Sequence, residues 1–354
     1  MPNWKIGKIE NSSLSQQRRK SVSEHVQDKV DLYLFVNIIT REFNQNTFAS
    51  IPSEAQGLIK GLRSINREHE IIPAIICKRV ETAANDTVHE HNLIAEYHLK
   101  KSDARYELHR LQEVIENASL CKAECLGKAA WNTTVHEMIF DIALDESAGK
   151  KLKALYTTTA TIAPGFAPKI STFDGDKTVS KTVDFCLAIE PEYLEQVHEI
   201  CFNQPIYEHW TINQSKYTPL CHQPIAIAVV TNVDTSSSTG EIELGIWTKA
   251  WLNRMCLLRG IPMDTDPSSP PLPLISIRGH DWYVLIAHYE RQTVDSPRPE
   301  LVLWGEQPIG NTRDLIGTYK LLKSIRLLAD WAEGDFRQYI DTVVIPDALT
   351  VWCA

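Results

Sequence analysis

The chain has 354 residues with a formal net charge of −9, 43% hydrophobic and 23% charged side chains. That is the composition of a packed soluble protein, long enough for two domains or one large one. The acidic balance argues against bulk electrostatic binding of duplex DNA, and no run approaches the ~18 apolar residues of a membrane span. The polar start Met1-Pro-Asn-Trp-Lys-Ile-Gly-Lys has no secretory apolar segment. The eight cysteines are scattered, with no CxxC pair, and read as reduced thiols. The expectation is an intracellular protein, cytoplasmic or nuclear, that does not engage membranes.

In chain order, residues 1–30 are polar, with Arg18-Arg19-Lys20 inside a Ser/Gln-rich stretch, and read as a flexible arm. Residues 31–104 read as a mostly helical N-terminal region. Its start is ambiguous, because Val30, Leu32, Leu34, Val36 and Ile38 alternate as in a strand. Ser53 is a candidate N-cap for a helix with Leu58, Ile59 and Leu62 on one face. His89, His91 and His98 cluster in sequence and read as surface histidines. Ser102–Leu126 is the longest periodic helix, striped by Leu108, Leu111, Val114 and Ile115.

Beyond Gly127 the pattern changes. An amphipathic helix over 131–144 precedes predicted strands at 156–162, 182–189 and 224–231, the last apolar nearly throughout, as expected of a strand covered on both faces. A polar loop follows at 233–240, then a helix over 241–258. A proline-rich connector leads to a hairpin around Gly279-His280-Asp281, a short strand at 301–304 and a helix over 312–331. Strands and helices in this order imply an α/β or α+β sheet layer flanked by helices.

One ordered set of residues says more. It runs Trp131-Asn132 with Val135-His136, Val183-Asp184-Phe185, Asn213-Gln-Ser-Lys-Tyr217 and Pro224-Ile-Ala-Ile-Ala-Val-Val-Thr-Asn232. It continues with Leu244-Gly-Ile-Trp247, Gly279-His280-Asp-Trp282, Ile309-Gly-Asn-Thr312 and Gly317-Thr-Tyr319. Together these resemble the PD-(D/E)XK nuclease-like domains widespread in filamentous fungi, over about residues 105–340. The resemblance implies an α/β, restriction-endonuclease-like core, a mixed central sheet flanked by helices, within a domain spanning 105–345. In that superfamily a strand Asp and a Glu two residues before a Lys on the next strand meet at one sheet end. The carboxylates hold a divalent ion, which activates water against a phosphodiester.

Carried onto this chain, the strand Asp is Asp184. The Glu-x-Lys of the following strand falls on Val230-Thr231-Asn232, so both charged groups are replaced. The helix before Trp131 usually carries a Glu; here Gly127-Lys-Ala-Ala stands there, with Glu124 the nearest upstream acid. Glu243 occupies the place of a Gln that usually opens the next helix. Glu241 and Glu243, at that helix start, are candidates for a relocated metal ligand beside Asp184, and Asp234 is a further one. The candidate site is therefore Asp184, Glu243 and His136 for catalysis, with Asp184, Glu243 and Glu241 as metal ligands; Lys249 reaches it only from the correct helix face. His136 could serve as a base or phosphate contact.

Three functions follow as expectations. The first is a nuclease-like protein that has lost hydrolysis, its cleft retasked for a small molecule or protein partner, with fungal specialised metabolism as one setting. That reading expects no cofactor. The second is an active DNA endonuclease using Mg²⁺ or Mn²⁺ on Asp184 and Glu243. The third is a protein-interaction module.

Overall fold

The computed structural model describes residues 38–43, 47–95, 100–145, 152–172, 175–233, 239–263, 265–290 and 300–353. The predicted arm at 1–30, the alternating residues before Ile38, His98 and Asp234 lie outside them.

Strand β1 (Ile38–Glu42) opens the described chain. The alternation that left its type open thus ends in a strand, inside a stretch read as helical. Helix α1 (Ser53–Asn66) follows, with Leu58, Ile59 and Leu62 buried as its spacing predicts. Ser53 does not cap it: Pro52 holds the N-cap position, and the Ser53 hydroxyl donates to Glu54. Two-residue strands β2 (Ile72–Pro73) and β3 (Leu93–Ile94) flank α2 (Cys77–Ala84). Helix α3 (Lys101–Ala123) buries Leu108, Leu111 and Val114. Helix α4 (Lys128–Trp131) runs through a π turn (Asn132–His136) into α5 (Glu137–Leu144).

Strand β4 (Leu152–Tyr156) ends where the predicted strand over 156–162 was to begin. The threonine run turns instead: Thr157 donates its amide to Asp184 and its hydroxyl to Val183, leaving the ladder at that point. A hairpin of β5 (Lys169–Thr172) and β6 (Gly175–Thr178) precedes β7 (Phe185–Ile189), α6 (Leu194–Phe202) and β8 (Ile225–Asn232). Then come α7 (Thr239–Leu258), β9 (Leu272–Arg278), β10 (Asp281–Glu290) and β11 (Glu300–Asn311). Strand β11 is far longer than the predicted 301–304. Its pairing with β10 shifts register at two points, at Ile309 and at Gly305-Glu306, while Pro308 and Gly310 stay paired. Helix α8 (Leu315–Trp331) is capped by Asp314, whose carboxylate accepts the Gly317 amide. A π turn (Ala332–Phe336), α9 (Arg337–Tyr339), a second π turn (Ile340–Val344) and α10 (Ile345–Trp352) complete the described chain.

The main sheet has seven strands in the order β1-β11-β10-β9-β8-β7-β4. Strands β1 and β11, and β8 and β9, pair parallel; the other neighbours are antiparallel. Helices cover both faces. On one, Phe140 of α5 packs against Phe185 and Trp282. On the other, α7 lies so close that a Cβ on Gly245 would sit 3.2 Å from Ile38 and Leu303. Strands β7 and β8 are accordingly buried nearly throughout. Ile38 and the buried face of α1 join the same continuous core as β7 through β11. All eight cysteines are free. Among the described residues, no helix is long and apolar enough to cross a membrane.

Candidate active site

Asp184 stands immediately before β7, at the sheet end where β8 finishes. The last β7–β8 pair is Phe185 with Val229, and the register carried one residue further sets Asp184 opposite Val230. Its amide donates to the Val229 carbonyl and its own carbonyl accepts from Thr157, so the backbone is fixed on both sides. The Asp184 side chain is 5% exposed. Its Oδ2 accepts the Thr231 amide at 2.7 Å and lies 2.8 Å from the Lys128 ammonium. Lys128 is the first residue of α4, after the extended Gly127. It reaches the carboxylate from the short helix that carries Trp131 and leads into Asn132.

A second layer holds this arrangement. The Thr231 hydroxyl donates to Asn132 Oδ1 at 2.8 Å, and the same oxygen lies 3.0 Å from His136 Nδ1. A chain of contacts therefore leads from the buried His136 through Asn132 and Thr231 to Asp184. His136 is enclosed by Trp131 and Trp282. Burial pushes its pKa down to about 3; the His280 and Lys128 charges act the same way, and the Gly279 backbone opposes them. The imidazole is neutral and internal. It supports the residues that position Asp184, where the sequence allowed a base facing the cleft.

The acids at the start of α7 separate. Glu243 is raised above its ordinary value, first by burial and also by the Asp184 charge, while Lys128 and Lys181 act in the opposite direction. Asp184, Glu243, Lys128 and Lys181 thus form one electrostatic group. Glu241 is two residues away, on another side of the helix. It lines a separate cavity of about 420 Å³ with Arg41, Glu42, Tyr283 and Glu306. Lys249 donates to the Tyr289 hydroxyl, away from this group. Glu124 is an exposed residue at the end of α3. Val230 is 1% exposed, and Gly240 in the first turn of α7 passes over it, where a Cβ would lie 3.6 Å from Val230 Cγ1.

The residues that sequence reasoning missed are Lys128, Lys181, Asn132 and Thr231. Lys128 had a visible signal: a cation standing in the helix where the resembling family usually carries a Glu. Asn132 and Thr231 stood inside quoted motifs but without a role, and Lys181 had no signal, because these roles arise from cross-element contacts.

A mixed sheet between helical layers, with an aspartate at the mouth of an antiparallel strand pair and the next helix crossing above, defines the nuclease-like α/β class. A model of the PD-(D/E)XK nuclease superfamily matches residues 78–337, and the chain belongs to that superfamily. Comparison with curated proteins finds no match.

Members of the superfamily usually employ Mg²⁺ or Mn²⁺. The donor set here does not fit a hard divalent ion as it stands. An ammonium and an amide occupy Asp184 Oδ2, and an aliphatic side chain lies opposite. Among the described residues, no three His, Cys, Asp or Glu side chains are grouped to hold a metal.

Proposed function

We propose that this chain keeps the nuclease fold without phosphodiester hydrolysis, and that its cleft serves a small molecule or a protein partner. Fungal specialised metabolism is the setting the family resemblance suggests. The observation that carries this reading is the Lys128–Asp184 pair facing Val230. The lysine supplies as a fixed side chain the positive charge that a bound cation would otherwise bring. Charge count sets the affinity of carboxylate sites for hard ions, and here the site is already neutralised. Incubation with supercoiled plasmid and single-stranded DNA in Mg²⁺ or Mn²⁺ tests it. The expected result is no cleavage above that of Asp184→Asn, and no rise in Tm on adding either ion.

A second reading retains hydrolysis, with Asp184 and Glu243 as the carboxylates that would hold the ion. The electrostatic coupling of Glu243 to Asp184 favours it. Cleavage that depends on the ion and disappears in both Asp184→Asn and Glu243→Gln would establish this reading and overturn the first.

A further inference from the structure

Five of the large hydrophobic side chains exposed on this molecule fall between Tyr193 and Tyr207, on α6, the residue before it and the turn after it. Helix α6 buries Val197, Ile200 and Cys201 on its inner side. Its outer side presents Leu194, His198 and Phe202 at spacings of four, which places them in one row. The row continues through ring contacts: His198 to Phe202 at 6.2 Å, Phe202 to Trp210 at 5.3 Å, and Trp210 to Tyr207 at 5.3 Å. Phe202 is 55% exposed and Tyr207 62%. Lone exposed apolar residues are ordinary on a protein surface, whereas a connected aromatic row is a feature of interaction sites.

The Trp210 end of the row is anchored from beneath. The Trp210 indole donates to the Gln204 carbonyl. Fully buried Arg254 donates to the carbonyls of His209 and Thr211, clamping the backbone on either side of Trp210. A partner docking here meets the Trp210 ring already fixed, which lowers the entropic cost of binding at that end of the row.

The charges around the row select the partner. Glu192, Glu195, Glu199 and Glu208 are exposed and make no ion pair among the described residues. Between residues 190 and 215 the sequence has no Lys or Arg; Lys216, whose ammonium lies over the Tyr207 ring, is the nearest cation in sequence. Nucleic acids and anionic membranes are repelled by such a rim. A second copy of this chain would bring the same four acids against themselves.

We infer that the α6 row is the docking surface for an amphipathic, basic helical segment of a partner protein, its apolar side chains seated along Leu194–Phe202–Trp210 and its Lys or Arg residues over the glutamates. β7 runs from Asp184 to α6, so this surface lies at the sheet end opposite the Asp184 group. The inference holds whether or not hydrolysis survives.

The test is fluorescence anisotropy on the full chain with two labelled helical peptides of about 18 residues. Both carry Leu or Phe every third or fourth position; one has Lys on its flanks and the other Glu. The Lys peptide is expected to bind at least tenfold more tightly than the Glu peptide. Phe202→Ser with Tyr207→Ser should weaken it at least tenfold, and Glu195→Lys with Glu199→Lys should weaken it and flatten its salt dependence. All are surface changes, and an unchanged Tm verifies folding. Equal binding of the two peptides, or binding indifferent to these substitutions, overturns the inference. So does a dimer in sedimentation that Phe202→Ser dissolves, or sedimentation of the chain with phosphatidylserine vesicles.

Discussion

Lys128 and Asp184 form an ion pair that is half inside the protein: the carboxylate is 5% exposed, the lysine side chain 43%. Solvent screens the lysine, so the pair is weaker than a fully interior one, but removing the cation leaves a buried carboxylate whose one hydrogen bond among the described residues is from the Thr231 amide. Lys128→Met is expected to cost about 1–3 kcal/mol in urea unfolding, by the loss of a charge-assisted contact to a buried acid. In Asp184→Asn the same lysine change should cost less. Glu243 and His136 predict opposite pH responses. Because the folded pKa of Glu243 lies above its ordinary 4.5, the folded protein holds that proton longer than the unfolded chain. Its contribution to stability therefore falls as pH rises from 4.5 through the folded value. Glu243→Gln should remove that slope and leave the protein more stable at pH 7. His136, lowered from 6.5 to about 3, behaves in reverse. The unfolded chain takes up the proton first, so stability present above 6.5 is lost as pH falls towards 3, by up to roughly 4 kcal/mol. His136→Gln should flatten that acid limb in Tm measured from pH 7 to 4.

At the scale of elements, the glycine motifs near the C-terminal end of the sheet acquire a mechanical meaning. Gly310, at the end of β11, has φ +141°, and a Cβ there would lie 2.6 Å from the Gly317 carbonyl oxygen. A Cβ on Gly317 would meet the Asn311 side chain at 2.6 Å. The strand thus turns directly under the first turn of α8, and both glycines are needed for that approach. Gly310→Ala is expected to lower stability by more than about 2 kcal/mol, from strain and overpacking together, read as a fall in Tm. The Trp131-Asn132-Val135-His136 motif is explained the same way. It forms a π turn whose Asn132 bonds to Thr231 of β8, so the motif ties helix to strand beside Asp184.

For the molecule as a whole, the N-terminal elements and the nuclease-like core share one interior. β1 pairs with β11 at the sheet edge, and Gly61 of α1 approaches Leu327 of α8 so closely that a Cβ would sit 2.8 Å from its Cδ2. A chain beginning at residue 105 would expose that edge and the apolar surface of α8. It is expected to aggregate or unfold, whereas the full chain should melt in one cooperative transition by calorimetry. The domain division proposed from sequence, with 105–345 as a unit, meets its direct test in that truncation.

The sequence by itself determined the layers, because burial imposes a period: three-to-four-residue spacing made α1, α3 and α8 readable, and the apolar run at 224–231 marked a strand covered on both faces. It also singled out Asp184 as a candidate through an ordered set of short motifs, and the superfamily match spans that set. Tertiary structure alone decided that Glu243 shares Asp184's surroundings while Glu241 lines another cavity, that His136 is interior, and that Lys128 neutralises the aspartate. These are contacts between groups tens of residues apart. Local pattern specifies which face of an element turns inward, but electrostatic partners are fixed only when the packed sheet brings α4, β7, β8 and α7 to a common end.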